Sequence, residues 1–192
     1  RVSSLAWNTH RHLELFYAVP GIGAVLHTAN PRLFDEQIVF TLNHAGSSIL
    51  LFDRSFLPVV ERIASQLTTV RTFVMMSDEA RTQSGAVNAI GYEALLARES
   101  PDIEWTKTDE NAGAFLCYTS GTTGNPKGVL YSHRAVVLHA MAAGLDLLRV
   151  RADGDRAAQR DAGAVRCRAA RARTAGARAG SRQDRRARRG PR

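Results

Sequence analysis

Apolar positions in the first 145 residues fall into runs whose period alternates between helical and extended. Leu13, Phe16 and Tyr17 recur at helical spacing, and the helix they predict should break or restart at Pro20-Gly21. The apolar segment Gly21–Leu26 reads as helix. Ile38, Leu42 and Ala45 predict a second helix, capped by Asp35 and stopped by Gly46. Ser48-Ile-Leu-Leu-Phe52 reads as a short buried strand, and Val59, Val60, Ile63 and Leu67 give one apolar face to a third helix. Val70 to Met76, β-branched and apolar, predicts another strand. Strand, helix and strand in that order imply a parallel sheet with a right-handed crossover.

Further along, Tyr92 to Arg98 predicts a short helix, and the polar stretch Pro101 to Asn111 a connection. Ala114-Phe-Leu-Cys-Tyr118 reads as a buried strand. A helix is expected from near Ser132, whose hydroxyl can cap it, with Val136, Val137, Ala140 and Met141 as its buried face. The expected fold class is α/β: a parallel sheet segment flanked by helices. No internal repeat is present.

The chemistry concentrates after the Ala114–Tyr118 strand, in Tyr118-Thr-Ser-Gly-Thr-Thr-Gly-Asn-Pro-Lys-Gly-Val129. Gly121, Gly124 and Gly128 let a backbone bend and expose its N–H groups to a ligand. Thr119, Ser120, Thr122 and Thr123 each supply a hydroxyl donor, and Lys127 a compact positive charge beside the stiff Pro126. Oriented N–H groups, hydroxyls and one lysine suit a phosphate. The end of a strand is also where α/β folds place ligands. A polar surface turn is the competing reading, because Ser, Thr, Gly and Asn are ordinary loop residues. The Walker pattern fails here, since Lys127 follows Pro126 and precedes Gly128. A dinucleotide fingerprint fails as well: Gly21-Ile-Gly23-Ala-Val-Leu26 has leucine where the third glycine belongs.

The run from Tyr118 through Gly128 resembles the phosphate-binding signature of the adenylate-forming enzymes, which include acyl-CoA synthetases, luciferases and the adenylation domains of peptide synthetases. Val129-Leu-Tyr-Ser-His133 continues as in that family. Trp7-Asn-Thr-His-Arg-His12, Tyr17-Ala-Val-Pro-Gly-Ile-Gly-Ala-Val-Leu-His-Thr28 and Asn43-His-Ala45 resemble the bacterial medium- and long-chain fatty-acid CoA ligases. The resemblance covers about residues 1 to 145. It implies a partial AMP-binding domain there, roughly the first third of such an enzyme, lacking a few dozen residues before Arg1.

The resemblance also implies a reaction. A carboxylate attacks the α-phosphate of ATP, giving an acyl-adenylate and pyrophosphate; coenzyme A then displaces AMP to give the thioester. Thr119, Ser120, Gly121, Thr122, Thr123, Gly124 and Lys127 would bind the ATP phosphates. Mg²⁺ normally bridges such phosphates. No carboxylate of this chain is assigned as its ligand, because the family's metal-binding glutamate lies further along. No residue is assigned a catalytic role either: the adenine and acyl motifs, the ribose-binding aspartate, the hinge and the catalytic lysine of the small C-terminal domain are expected beyond this chain. The activity therefore belongs to the parent enzyme, with fatty acid, ATP and CoA as its partners, and this chain by itself is expected to be inactive.

Charge changes the picture only at the far end. The 192 residues carry a net charge of +8 and a pI near 10.4, which taken whole suggests a nucleic-acid binder. From Asp146 onward, however, 15 arginines face 5 aspartates, leaving 11 basic and 13 acidic residues before that point. The excess charge lies entirely in the segment 146–192, which has no aromatic residue and no lysine. Its Arg/Ala/Gly composition cannot bury enough apolar surface to offset chain entropy, so it is expected to be disordered. An arginine-rich nucleic-acid arm is one reading. Out-of-frame translation of a GC-rich gene is the favoured one, since Arg, Ala, Gly and Pro are written by GC-rich codons and the segment begins mid-helix. A vestigial product without function is a third. Specific nucleic-acid binding is not expected, because a binder interleaves aromatic contacts with its basic residues.

Cys117 is most simply a core residue and Cys167 lies in the tail, so neither a disulfide framework nor a metal site follows. The six histidines form no metal motif; His10 and His12 could share one face of a strand. No apolar run reaches 18 residues and no signal peptide is recognisable, so membrane insertion is not expected and the expected location is cytoplasmic.

Overall fold

The computed structural model describes residues 1–84, 87–119 and 125–145. It divides into two units, Arg1–Leu138 and His139–Arg192, and every strand below belongs to the first. The expected disorder of 146–192 lies outside the described residues. Elements follow in the order β1 (Val2–Leu5), α1 (His10–Gly21), β2 (Leu26–Thr28), α2 (Asp35–Ala45), β3 (Ile49–Asp53), α3 (Leu57–Ile63), β4 (Thr72–Met76), β5 (Arg81–Ser84), β6 (Val87–Gly91), α4 (Tyr92–Leu96), β7 (Gly113–Thr119) and β8 (Lys127–Ser132). A helix over 133–145 follows.

All eight strands form one sheet, in the order β5-β6-β4-β3-β1-β2-β7-β8. The six inner strands pair parallel, and β5 and β8 pair antiparallel at the two edges. From β1 the chain moves to β2 through α1, then returns past β1 to β3 through α2, and continues to β4 through α3. Right-handed crossovers running in opposite directions put their helices on opposite faces. The core divides accordingly. Leu15 and Val19 of α1 pack with Leu51, Val74, Met76 and Tyr92 on one face. Ile38 and Leu42 of α2, with Val60 and Ile63 of α3, pack with Leu50, Phe52 and Met75 on the other. Successive residues of β3 and β4 thus feed alternate layers, as the two-residue repeat of a strand requires.

The helix ends follow local chemistry. The Thr9 hydroxyl accepts from the His12 N–H and caps α1, and Pro20 closes its last turn. Gly46, at φ +66°, ends α2 in the left-handed conformation that glycine tolerates without a Cβ clash.

Several expectations need correction. Asp35 does not cap α2; Phe34 occupies the cap position and Asp35 begins the helix, bonded to Arg62. Gly21–Leu26 is not helix, because the chain leaves α1 and enters β2, whose pairing with β1 and β7 outweighs local apolar character. His10 and His12 lie on α1 rather than a strand. In α1 the buried side is His12, Leu15, Val19 and Pro20, while Leu13 and Tyr17 are exposed. Val137 and Met141 are likewise exposed, although the Ser132 hydroxyl does accept from the Ala135 N–H at 3.2 Å and caps the final helix as expected.

Candidate functional site

Strand β7 runs parallel to β2, so its last residues reach the same edge of the sheet as the C-terminal ends of β1, β2 and β3. Beyond Thr119 the chain reverses and returns as β8, with Thr119 paired to Lys127 and Tyr118 to Gly128. The two ends of the signature therefore pair as an antiparallel ladder at the C-terminal end of the parallel strands, where α/β folds place ligands. The Thr119 hydroxyl donates to the Lys127 carbonyl across its neck, at 3.5 Å. Ser120, Gly121, Thr122, Thr123 and Gly124 lie outside the described residues.

Of the expected phosphate ligands, Thr119 and Lys127 are thus described, and the antiparallel register brings them opposite each other. One correction concerns Lys127, which is the first residue of β8 rather than part of a loop. A strand carries its charge, and strand β8 itself is held by its pairing with β7. The sequence concealed β8 because Pro126 and Gly128 are poor strand residues. Lys127 is exposed and in no ion pair among the described residues. Two arginines near the same edge are committed elsewhere: Arg11 pairs with Asp78 and Glu93, and Arg54 with Glu79.

Beneath the hairpin lies a polar layer that sequence reasoning missed. The Tyr118 hydroxyl hydrogen-bonds His44 Nδ1 at 2.7 Å, and its ring meets the His27 ring edge-on at a centroid distance of 5.0 Å. His27 is fully buried; its Nδ1 bonds the Ser3 hydroxyl at 2.8 Å, and Ser3 in turn bonds Ser47. His27 Nε2 has no partner among the described residues. Burial pulls the His27 pKa down from its ordinary value near 6.5 to about 4, so the ring is neutral at pH 7. Burial also pushes the Tyr118 phenol up, with an opposing contribution from Arg1. On the other face of β1, Ser4 bonds His12 Nε2 at 3.0 Å. Cys117 is only partly buried, with its Sγ 3.9 Å from the Thr28 hydroxyl.

Among the described residues no group of three His, Cys, Asp or Glu side chains could hold a metal ion, and no helix is long and apolar enough to cross a membrane. Among the described residues, the arrangement brings the Lys127 cation and the Thr119 hydroxyl together at the C-terminal end of the parallel strands.

The AMP-binding enzyme family matches residues 1–160. The chain is similar to the 3-methylmercaptopropionyl-CoA ligase of Ruegeria pomeroyi, at 51% identity over 144 residues that cover 74% of this chain and 27% of that protein. It is similar to the medium-chain-fatty-acid–CoA ligase of Ectopseudomonas oleovorans, at 48% identity over 146 residues covering 76% and 27%. Among solved structures, the anthranilate CoA ligase AuaEII in complex with anthranoyl-AMP superposes with a TM-score of 0.63, covering 69% of this chain and 24% of that one. Its 23% identity shows the fold alone. The chain spans about a quarter of the length of the curated relatives it matches. With both ends of the signature paired at the C-terminal end of the parallel strands, and the family matched over most of the sequence, the chain belongs to the AMP-binding enzyme family.

Proposed function

We propose that this chain carries the phosphate-binding hairpin of an ATP-dependent fatty-acid CoA ligase, within a partial AMP-binding domain over residues 1–145. The supporting observation is the register of β7 against β8, which sets Thr119 opposite Lys127 at the C-terminal edge of the parallel strands. Hydroxyls of Thr119, Ser120, Thr122 and Thr123, with backbone N–H groups around Gly121 and Gly124, would hold the β- and γ-phosphates of ATP. Negative charge grows on the pyrophosphate leaving group as the fatty-acid carboxylate attacks the α-phosphate. A lysine whose backbone is set at the head of a strand is placed to offset that charge. The CoA thiol then displaces AMP in the second step. Among the described residues no cluster of His, Cys, Asp or Glu fits Mg²⁺. A cytoplasmic location suits ATP- and CoA-dependent chemistry. Nothing in the family match or the relatives supports the nucleic-acid reading of the arginine-rich segment.

The test uses a full-length ligase of this family carrying the same hairpin. Lys127→Ala should slow ATP–pyrophosphate exchange far more than it weakens fatty-acid binding, because the lysine acts mainly in the transition state. Normal exchange in that variant would remove the reading. The 192-residue chain alone should form no thioester from ATP, CoA and fatty acids, and turnover above background would contradict the assignment of the remaining machinery to the rest of the ligase.

A further inference from the structure

We propose that His44 is a positioning residue for the phosphate hairpin, acting through its hydrogen bond to the Tyr118 hydroxyl. The inference rests on the phosphate-binding reading of that hairpin. Tyr118 is the last residue before Thr119, so whatever fixes Tyr118 fixes the root of the turn. Three contacts do so. With its ring proton on Nε2, His44 accepts the phenol hydrogen bond at Nδ1, 2.7 Å away. The Tyr118 ring meets His27 edge-on. The ring also lies across its cross-strand neighbour Gly128, where an added Cβ would come within 3.2 Å of Cζ. A side chain at position 128 would crowd Tyr118 and Leu116, so glycine gives the ring its closest fit here.

The run Asn43-His44-Ala45, at the end of α2, supplies the fixed end of the contact. Asn43 donates to the Gln66 carbonyl and accepts from the Thr68 N–H, both at 2.9 Å, which ties the helix end to the segment leading into β4. Ala45 is buried in the core. His44 stacks on Phe40 one turn earlier, at 5.3 Å and 19°, so its ring is held before Tyr118 arrives. The pair therefore links a hairpin at the sheet edge to a helix that is anchored on both sides. A strand end held in advance keeps Thr119 opposite Lys127 before a phosphate binds, which is the general benefit of preorganisation. No sequence spacing relates position 44 to position 118.

The test uses this 192-residue chain with inorganic pyrophosphate and ATP as probes. Affinity is read by calorimetry, fold by melting temperature, and hairpin order by amide hydrogen exchange over residues 119–128. Tyr118→Phe keeps the ring over Gly128 and removes only the hydroxyl. His44→Ala removes the acceptor, and His44→Asn restores one near the Nδ1 position. Each of the first two should weaken pyrophosphate binding about fivefold, the size of one net hydrogen bond. Both should speed exchange over 119–128 while β1 and β3 keep their protection. His44→Asn should recover most of the loss, and the double variant should be no weaker than either single one. Unchanged affinity and unchanged hairpin exchange in both variants would overturn the proposal. So would a drop in melting temperature with faster exchange across the whole sheet, which assigns the pair to stability alone. Lys127→Ala separates the two layers of the argument. If it weakens binding while His44→Ala does not, the positioning role fails and the phosphate reading stands. If the parent chain binds neither probe, the phosphate reading fails and takes the positioning role with it.

Discussion

Strands β3 and β8 are both rich in apolar side chains, yet they occupy opposite environments. In β3, Leu50 and Phe52 are fully buried and Leu51 nearly so, because helices cover both faces of a central parallel strand. In β8, Leu130 remains 56% exposed, with Val129 and Tyr131 also open, on an antiparallel edge. The same residue types therefore stabilise in one place and lie open in the other. The difference teaches where stability and chemistry separate in this domain. The centre is held by packing on two faces. Strand β8 is held chiefly by its ladder with β7, and the end of β7 by the polar contacts of Tyr118.

The comparison breaks most directly at Phe52. Phe52→Ala empties a fully buried position and should destabilise the chain by about 3–5 kcal/mol in urea denaturation. A loss below about 1 kcal/mol would mean that the two-faced centre is not the source of stability. Lys127→Ala is its counterpart at the hairpin. It should cost about 3–4 kcal/mol in adenylation rate, on the order of 10²–10³-fold, when placed in a full-length ligase. Its effect on stability should stay within about 0.5 kcal/mol, since the side chain is exposed and in no ion pair among the described residues.

Acid should sharpen the same contrast through His27. Its folded pKa, near 4, lies below the ordinary 6.5 of an unfolded chain. Between those values the unfolded state binds the extra proton, so stability is full above about pH 6.5 and falls as pH drops towards 4. Protonation of this ring in the unfolded state alone should lower stability by on the order of 3 kcal/mol across that window. His12, also shifted down by burial, adds in the same direction. Urea midpoints measured through that range check this, and His27→Asn should flatten the slope whatever it does to the midpoint at neutral pH. The smallest effects belong to the exposed end. Ser132→Ala should cost about 1 kcal/mol through loss of the helix cap. Leu130→Ala should change stability by less than about 0.5 kcal/mol. Equal losses at Leu130 and Phe52 would erase the distinction drawn between the strands.

Much of the fold was legible wherever a local rule sufficed. The order β3-α3-β4 followed from period changes, and Gly46 from the need for a left-handed stop. The apolar core positions of α2 and α3 followed from helical spacing. Local rules failed at β1, β2, β5, β6 and β8, which are short or polar and exist because a neighbour pairs with them. They failed also on the exposed faces of α1 and the last helix. Periodicity marks an apolar stripe, but it does not say which element covers it.

The site divides the same way. By itself the sequence determined the chemical character of the hairpin, because hydroxyls, glycines and a lysine in eleven consecutive residues are written in one stretch of chain. It determined as well that Tyr118 precedes the turn and that excess charge gathers beyond Asp146. Only the tertiary structure decided that Lys127 rides on a strand facing Thr119, and that His44, 74 residues before Tyr118, meets its hydroxyl. It also decided that His27 is sealed beneath both. The physical reason is that residue type and local spacing are properties of the chain, whereas pairing across a sheet depends on strand order. Here strand order sets β7 beside β2, the strand that carries His27 and leads into α2, and so brings the hairpin over residues far from it in sequence.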